Sequence, residues 1–217
     1  MNRSLPYRIF HSGTSPLAYF TGAALLVMAS DRLAHAITVL GALVWVYCFS
    51  SLVAHVGAKI FPRHGRIMLF AFLGSFFAGI YLLLLWMLSP LCALETFFVI
   101  ALIPMFCMTS GVFNRMETLD LSDTLLAAFT EAAILGALIV ILALIREPLG
   151  YLSLSLPGGA KGIVLLFSFE TESFLPIRLI ASSCGALLLL GYAFQLYRYF
   201  KEKYVPQSGP QEDKDDL

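Results

Sequence analysis

The stretch Ile103-Pro104-Met105-Phe106-Cys107-Met108-Thr109-Ser110-Gly111 lies in the middle of the chain, inside an apolar run. It holds a proline, a thiol, two small hydroxyl residues and a glycine. An ordinary membrane-spanning helix needs none of these. A Pro and a Gly so close together predict a kinked or broken helix. In a bilayer, irregular backbone is tolerated only where protein buries it or where it lines a cavity. A thiol at such a break is either a small core residue or a ligand, and burial is the default for free Cys.

Outward from this stretch the chain is apolar. Hydrophobic residues make up 59% of its 217 positions and charged residues only 13%, with a mean hydropathy of +0.84. That balance belongs to the membrane class. Net charge is zero, and no basic stripe alternates with aromatics, which excludes nucleic-acid binding as the function class. The cysteines Cys48, Cys92, Cys107 and Cys184 are scattered and never form a CxxC pair. They make neither a disulfide framework nor a self-contained zinc site.

Hydropathy divides the chain into six apolar segments. The first, Pro16 to Ser30, falls short of the ~20 residues of a full crossing. It is either a signal peptide, with Ala34-His35-Ala36 as a cleavage site, or a short or discontinuous first helix; a second apolar segment directly behind it favours the helix. The others run from Ile37 to Val56, Ile67 to Leu88, about Cys92 to Gly111, Thr124 to Ile145, and Pro176 to about Phe194. Residues 1–15 form a basic flank. Residues 16–88 form a first three-helix repeat and 92–199 a second. Residues 146–175 are expected as an extracytoplasmic loop with Pro157-Gly158-Gly159 as a turn. The apolar patch Ile163–Phe169 is too short to span, and either lies along the interface or packs on the bundle. The polar tail, 200–217, is expected to be disordered.

With six crossings, one side receives Arg3, Arg8, Lys59, Arg63, Arg66, Arg115, Arg198, Lys201, Lys203 and Lys214. The other receives Arg32, Arg146, Lys161 and Arg178. The positive-inside rule then places both termini in the cytoplasm. The chain reads as an all-α multi-pass membrane protein. Its fold is two inverted three-helix repeats with discontinuous first and fourth helices. In such repeats, breaks at matching positions point to a central site. Gly22-Ala23-Ala24 and Cys107 become candidates for one locus.

Two charged groups inside the segments carry alternatives. Glu131 sits well within the fifth segment; an intramembrane carboxylate is a functional hypothesis by default, against simple pairing with a nearby Arg. His55 is either an interfacial residue or a proton-relay group. Glu95, at the start of the fourth segment, suits the helix dipole.

The chain resembles the Rnf/Nqr family of membrane subunits, over roughly residues 15–197. Cys107 is followed by Gly111 at the family's Cys-x-x-x-Gly spacing, with Phe106 where the family has Asn. Arg115 and Glu117 are similar in kind to an Arg and a Glu of the RnfE/NqrD branch, shifted by a few positions. Ile145-Arg146-Glu147-Pro148-Leu149-Gly150 is similar to the family's Ile-Arg-Glu-(Ile/Leu)-Leu-Gly. Termini inside suit RnfE/NqrD better than the sister branch RnfA/NqrE. The resemblance implies six helices in inverted halves within an ion-translocating electron transport complex.

It also implies an iron–sulfur cluster held by cysteines of the first and fourth helices of two paired subunits, relaying electrons between flavins on other subunits. Four thiolates are needed. The fourth-helix ligand corresponds to Cys107. In the first helix, Gly22-Ala23-Ala24-Leu25 stands where the family has Gly-Leu-Cys-Pro, so Ala24 takes the place of the Cys. Cys48, Cys92 and Cys184 replace it only if the packing differs. The implied partners are a paired, homologous, inverted membrane subunit, the remaining complex subunits and the lipid bilayer. Coupling is to Na⁺ or H⁺, and the chain alone catalyses nothing. The alternative is a diverged member without a redox centre, acting as a scaffold or as a permease with Glu131 and His55 on the ion path.

Overall fold

The computed structural model of the protein describes residues 16–57, 66–109, 120–159, 162–168 and 178–204. The helices are α1 (Pro16–Ala29), α2 (Leu33–Gly57), α3 (Arg66–Leu88), α4 (Pro90–Thr109) and α5 (Leu121–Tyr151). Two strands follow, β1 (Ser153–Pro157) and β2 (Ile163–Ser168), then a short helix α6 (Arg178–Ala181) and α7 (Ser183–Tyr204). Four helices, α2 to α5, are long and apolar enough to cross a membrane. α1 has 14 residues, and the apolar part of α7 covers only Ser183–Ala193. The chain is therefore predominantly helical and of the membrane-embedded class.

The hub of the bundle is α2. It packs against α3, α4, α5 and β1, while α1 lies on α4 and α5. Its contact with α5 is made by small residues. The buried face of α5 reads Thr124, Ala128, Ala132, Gly136, Ile139, Ala143, Arg146 and Gly150, spaced by three or four. Such a stripe stays on one side of a helix, and small side chains let two backbones approach where lipid supplies no hydrophobic drive. Gly136 is the closest point. A Cβ there would lie 2.8 Å from Cδ1 of Leu40.

α3 and α4 form a hairpin about one residue. Ser89 joins them, its N–H bonded to the Leu85 carbonyl and its own carbonyl accepting from Ala93. Pro90 follows at the first helical position, where a missing N–H costs nothing. Gly74 and Pro104, equally far from Ser89, meet across the pair. Tyr81 of α3 donates to the Thr38 carbonyl of α2 at 2.9 Å. That carbonyl and the Gly41 surface beside it make room for the hydroxyl.

Three expectations change. α4 is helical through Pro104 to Thr109, and α1 is uninterrupted, so neither helix is broken within the described residues; Ser110 and Gly111 lie outside them. The Pro104 ring is accommodated because it faces a glycine, Gly74. Residues 146–151 are not loop but the last turns of α5, since tertiary partners satisfy both charges there. The rest of the expected loop contains an antiparallel hairpin of β1 and β2 with an irregularity between Leu154 and Ser155. Gly162, at φ +77° and against Leu91, closes its turn where a side chain would be both strained and obstructed.

Candidate functional site

Polar side chains collect in two layers of the bundle, separated by the apolar stretch of Val39, Leu43, Val46, Ile100, Ile103 and Ile139.

The first layer lies where α1 ends, α2 begins and α5 ends. Arg146 is 2% exposed. Its Nε donates to the Ile180 carbonyl at 2.9 Å and one terminal nitrogen to the Ala181 carbonyl at 2.7 Å. The other donates to the Val27 carbonyl at 2.9 Å and to Ser30 Oγ at 3.2 Å. The guanidinium thus closes the C-terminal ends of α1 and α6, where carbonyl dipoles favour a cation. Asp31 adds a looser ion contact at 3.8 Å. Next to it, Glu147 is 1% exposed and accepts from the Leu33 N–H at 2.7 Å. An anion at the N-terminus of α2 is the complementary arrangement. Gly150, one turn on from Arg146, lets the α6 backbone at Ala181 come close. The segment Arg146–Gly150 is accordingly a structural clamp. Tyr151 donates to Asp31 at 3.0 Å, and Arg32 lies over the Tyr151 ring at 5.4 Å. At the same end, His35 Nε2 and Glu95 Oε2 stand 2.8 Å apart on α2 and α4.

The second layer is deeper. Tyr47 of α2 and Cys107 of α4 are each 1% exposed. Tyr47 reaches the Cys107 thiol, and the half-buried Glu131 of α5 is close enough to act on it electrostatically. The Tyr47 ring lies 6.2 Å from the Phe106 ring. Phe106 in turn fills the space over Gly22, 3.1 Å from where a Cβ would stand. Four helices therefore converge here. At 1.5 Å per residue, Tyr47, Cys107 and Glu131 all fall roughly 20–25 Å from the end that holds Arg146. In a hydrocarbon core of about 30 Å they sit nearer the opposite face, the one from which the chain continues into 58–65, with Lys59, Arg63 and His64, and into 110–119.

The structure thus brings Cys107, Glu131 and Gly22 into one neighbourhood. It does not bring Ala24, which is exposed on the other side of α1. His55 lies in the last turn of α2, about 12 Å beyond Tyr47. It is half-buried, and its Nδ1 has no hydrogen-bond partner among the described residues. Gly111 lies outside the described residues. Tyr47 was not singled out by sequence; its only sign is a polar tip within an apolar helix.

Of the four thiolates that an iron–sulfur cluster needs, the described residues supply one at this point, Cys107. Cys107 is 1% exposed, and the side chains that act on its thiol are Tyr47 and Glu131. Cys92 is about 22 Å along the same helix. Cys184 is exposed and Cys48 half-buried. No group of three or more His, Cys, Asp or Glu side chains able to hold a metal occurs among the described residues.

The class this fold and site define is a helical membrane protein with a buried polar group between its spans. No protein-family model matches the sequence, and no curated protein sequence matches it.

Proposed function

We propose that the chain is an integral subunit of an ion-translocating assembly of the Rnf/Nqr type in a bacterial cytoplasmic membrane, and that its own part is on the Na⁺ or H⁺ path. Glu131 is the charge-bearing group of that path. The observation that carries the reading is the convergence of Glu131, Cys107 and Tyr47 at the contact of α2, α4 and α5. A carboxylate held inside a membrane bundle is expensive and marks ion or proton pathways. Tyr47, Ser50, Ser51 and His55 line the same helix from that point toward the basic end. They supply hydroxyl and imidazole groups for a polar approach from one face only. The apolar stretch beyond them seals the other.

The pairing of helices supports two inverted halves. If α1 to α3 match α4 to α7, then α2 with α5 and α1 with α4 are the self-matched pairs, and both pack directly. The partner implied is a paired, homologous, inverted membrane subunit.

A second reading, a diverged electron-relay subunit whose ligand is Cys107, is favoured by one contact. Gly22 of α1 meets Phe106, the neighbour of Cys107, where the resemblance joins the first and fourth helices.

One experiment separates the readings. The chain is co-purified with its membrane partners, reconstituted in vesicles and assayed for Na⁺ and H⁺ uptake as wild type, Glu131→Gln and Cys107→Ala. Iron content and visible absorption are read on the same samples. Loss of uptake in Glu131→Gln with normal assembly, and no iron change in Cys107→Ala, is the result expected. Full uptake in Glu131→Gln ends the ion-path reading. Iron and sulfide charge-transfer bands that vanish in Cys107→Ala establish the relay reading instead.

A further inference from the structure

We infer that the hairpin of β1 and β2 is a membrane anchor, seated in the boundary between headgroups and acyl chains at the end of the bundle that holds Arg146. The inference rests on the membrane embedding of α2 to α5, and stands whether or not Glu131 lies on an ion path.

Four consecutive side chains of β2, Val164 to Phe167, are exposed, with Phe167 the most open at 63%. Successive strand residues point to opposite faces. Cross-strand partners share a face, so the pairing of Val164 with Leu156, Leu165 with Ser155 and Phe167 with Leu154 puts Val164 and Phe167 on one side and Leu165 on the other, with Leu166 the extra residue at the irregularity. A strand on a water-facing sheet alternates apolar with polar residues. This one is apolar on both sides, so it calls for an apolar surrounding rather than a wet one. β1 cannot supply it. Its Ser155 is fully buried, and β1 packs inward on α2 and α5.

The neighbour on the outer side identifies what covers the strand. Gly162, at the start of β2, touches Leu91 in the first turn of α4. Leu91, Leu94 and Phe98 are all exposed. They form one outward apolar stripe on α4, spaced by three and four residues, and the bilayer is the surrounding that such a stripe on a spanning helix meets first. β2 continues this stripe past the end of the helix. The apolar patch and the lipid-facing belt are one surface, and the occupant is the same for both.

Depth follows from the backbone. β1 pairs with one edge of β2; its other edge has no strand partner among the described residues. Unpaired N–H and C=O groups are not tolerated in the hydrocarbon core. They are satisfied by headgroups and water at the boundary. That is the level of the first turn of α4, where Leu91 meets the hairpin. Ring and branched side chains then reach into the acyl chains while the backbone stays hydrated.

The test uses the full chain reconstituted in phosphatidylcholine vesicles. Trp45 and Trp86 are replaced by Phe, and a single reporter is introduced as Phe167→Trp, with Leu165→Trp as an independent second reporter. Vesicles contain lipid brominated either close to the headgroup or near the chain end. The result expected is blue-shifted emission from both reporters, quenched several-fold more by the shallow bromines than by the deep ones. Emission as in water, quenched by acrylamide and not by bromolipid, overturns the inference. So does blue-shifted emission that ignores bromolipid and changes with protein density, which assigns the patch to a second copy. Stronger quenching by the deep bromines also overturns it, by placing the strand in the hydrocarbon core.

Discussion

The carboxylate of Glu147 accepts a 2.7 Å hydrogen bond from the backbone N–H of Leu33, 114 residues away in sequence. The start of α2 is thus capped by the end of α5. The neighbouring Arg146 caps α1 and α6 at the same spot. Adjacent residues of opposite charge hold four helix ends together, each charge meeting the dipole end that favours it.

Removing either charge exposes the arrangement. In Glu147→Ala the Leu33 N–H is left buried and unsatisfied, at a cost of about 1–3 kcal/mol. Arg146→Ala strands several carbonyls at once, and its cost is nearer the ~3–5 kcal/mol of a broken buried charge network. A chain of this size loses about 2–4 °C per kcal/mol. Thermal unfolding in detergent, followed by circular dichroism, should therefore show Arg146→Ala melting roughly ten degrees below wild type, and Glu147→Ala falling between. Arg146→Lys should resemble Arg146→Ala, because an ammonium cannot span the fork of acceptors. Equal melting of all three variants and wild type would show that the clamp does not hold the helix ends.

That clamp also explains what was legible in the sequence. The spans α2 to α5 were plain from hydropathy, because length and apolar content alone set them. Their ends were not. Arg146-Glu147-Pro148 reads as a helix stop, yet α5 continues to Tyr151 because both charges find partners on other helices. The true start of α2 at Leu33 has its cap in a remote segment, so nothing local marks it. The β1 strand did carry a sign, the alternation Ser153-Leu154-Ser155-Leu156 before Gly158-Gly159, with Ile163–Ser168, most of the apolar patch behind it, as its partner. Cys107 and Glu131 stood out as misfits in apolar helices, and the structure brings them together. Tyr47 did not stand out, since one aromatic among many gives no signal until packing selects it.

Gly136 sets the distance between α2 and α5. A methyl group there lies 2.8 Å from Leu40 Cδ1 and 2.9 Å from its Cγ. Gly136→Ala forces Leu40 or the helix to move, at about 1–3 kcal/mol, despite Ala being the better helix former. Leu40→Ala removes the obstacle. A double-mutant cycle should give a favourable coupling: Gly136→Ala should cost less in the Leu40→Ala background than alone. Strict additivity of the two melting shifts would place the helices farther apart than described.

Tyr81 ties α3 to the second turn of α2 through one hydrogen bond, to the Thr38 carbonyl at 2.9 Å. Tyr81→Phe keeps the ring and removes the donor. The Thr38 carbonyl lies within a helix and has its own helical environment, so the loss should stay near 0.5–1.5 kcal/mol. Unfolding midpoints should fall by a few degrees with the spectrum of the folded protein unchanged. A drop as large as that of Arg146→Ala would mean that the hydroxyl does more than hold α3.

Cysteine reactivity reads the depth of the second polar layer directly. Cys184 is exposed near the start of α7, Cys48 is half-buried, and Cys92 and Cys107 are buried. Alkylation requires access and a thiolate. Maleimide applied to the folded protein in detergent should therefore label Cys184 first and Cys48 slowly. Cys92 and Cys107 should react only after denaturation, when mass spectrometry of peptides assigns each site. Cys107 is the informative thiol, because it is buried and the Tyr47 side chain acts on it. Tyr47→Ala removes that side chain and opens a void beside the thiol. Labelling of Cys107 in that variant should rise well above wild type, while Cys92, about 22 Å away on α4, stays protected. If Cys107 reacts as fast as Cys184 in the wild-type fold, the thiol faces an open surface, and the buried convergence of α2, α4 and α5 must be abandoned. If both buried thiols become reactive together in Tyr47→Ala, the variant has unfolded, and Tyr47→Phe, which keeps the ring and its cover, provides the protected control.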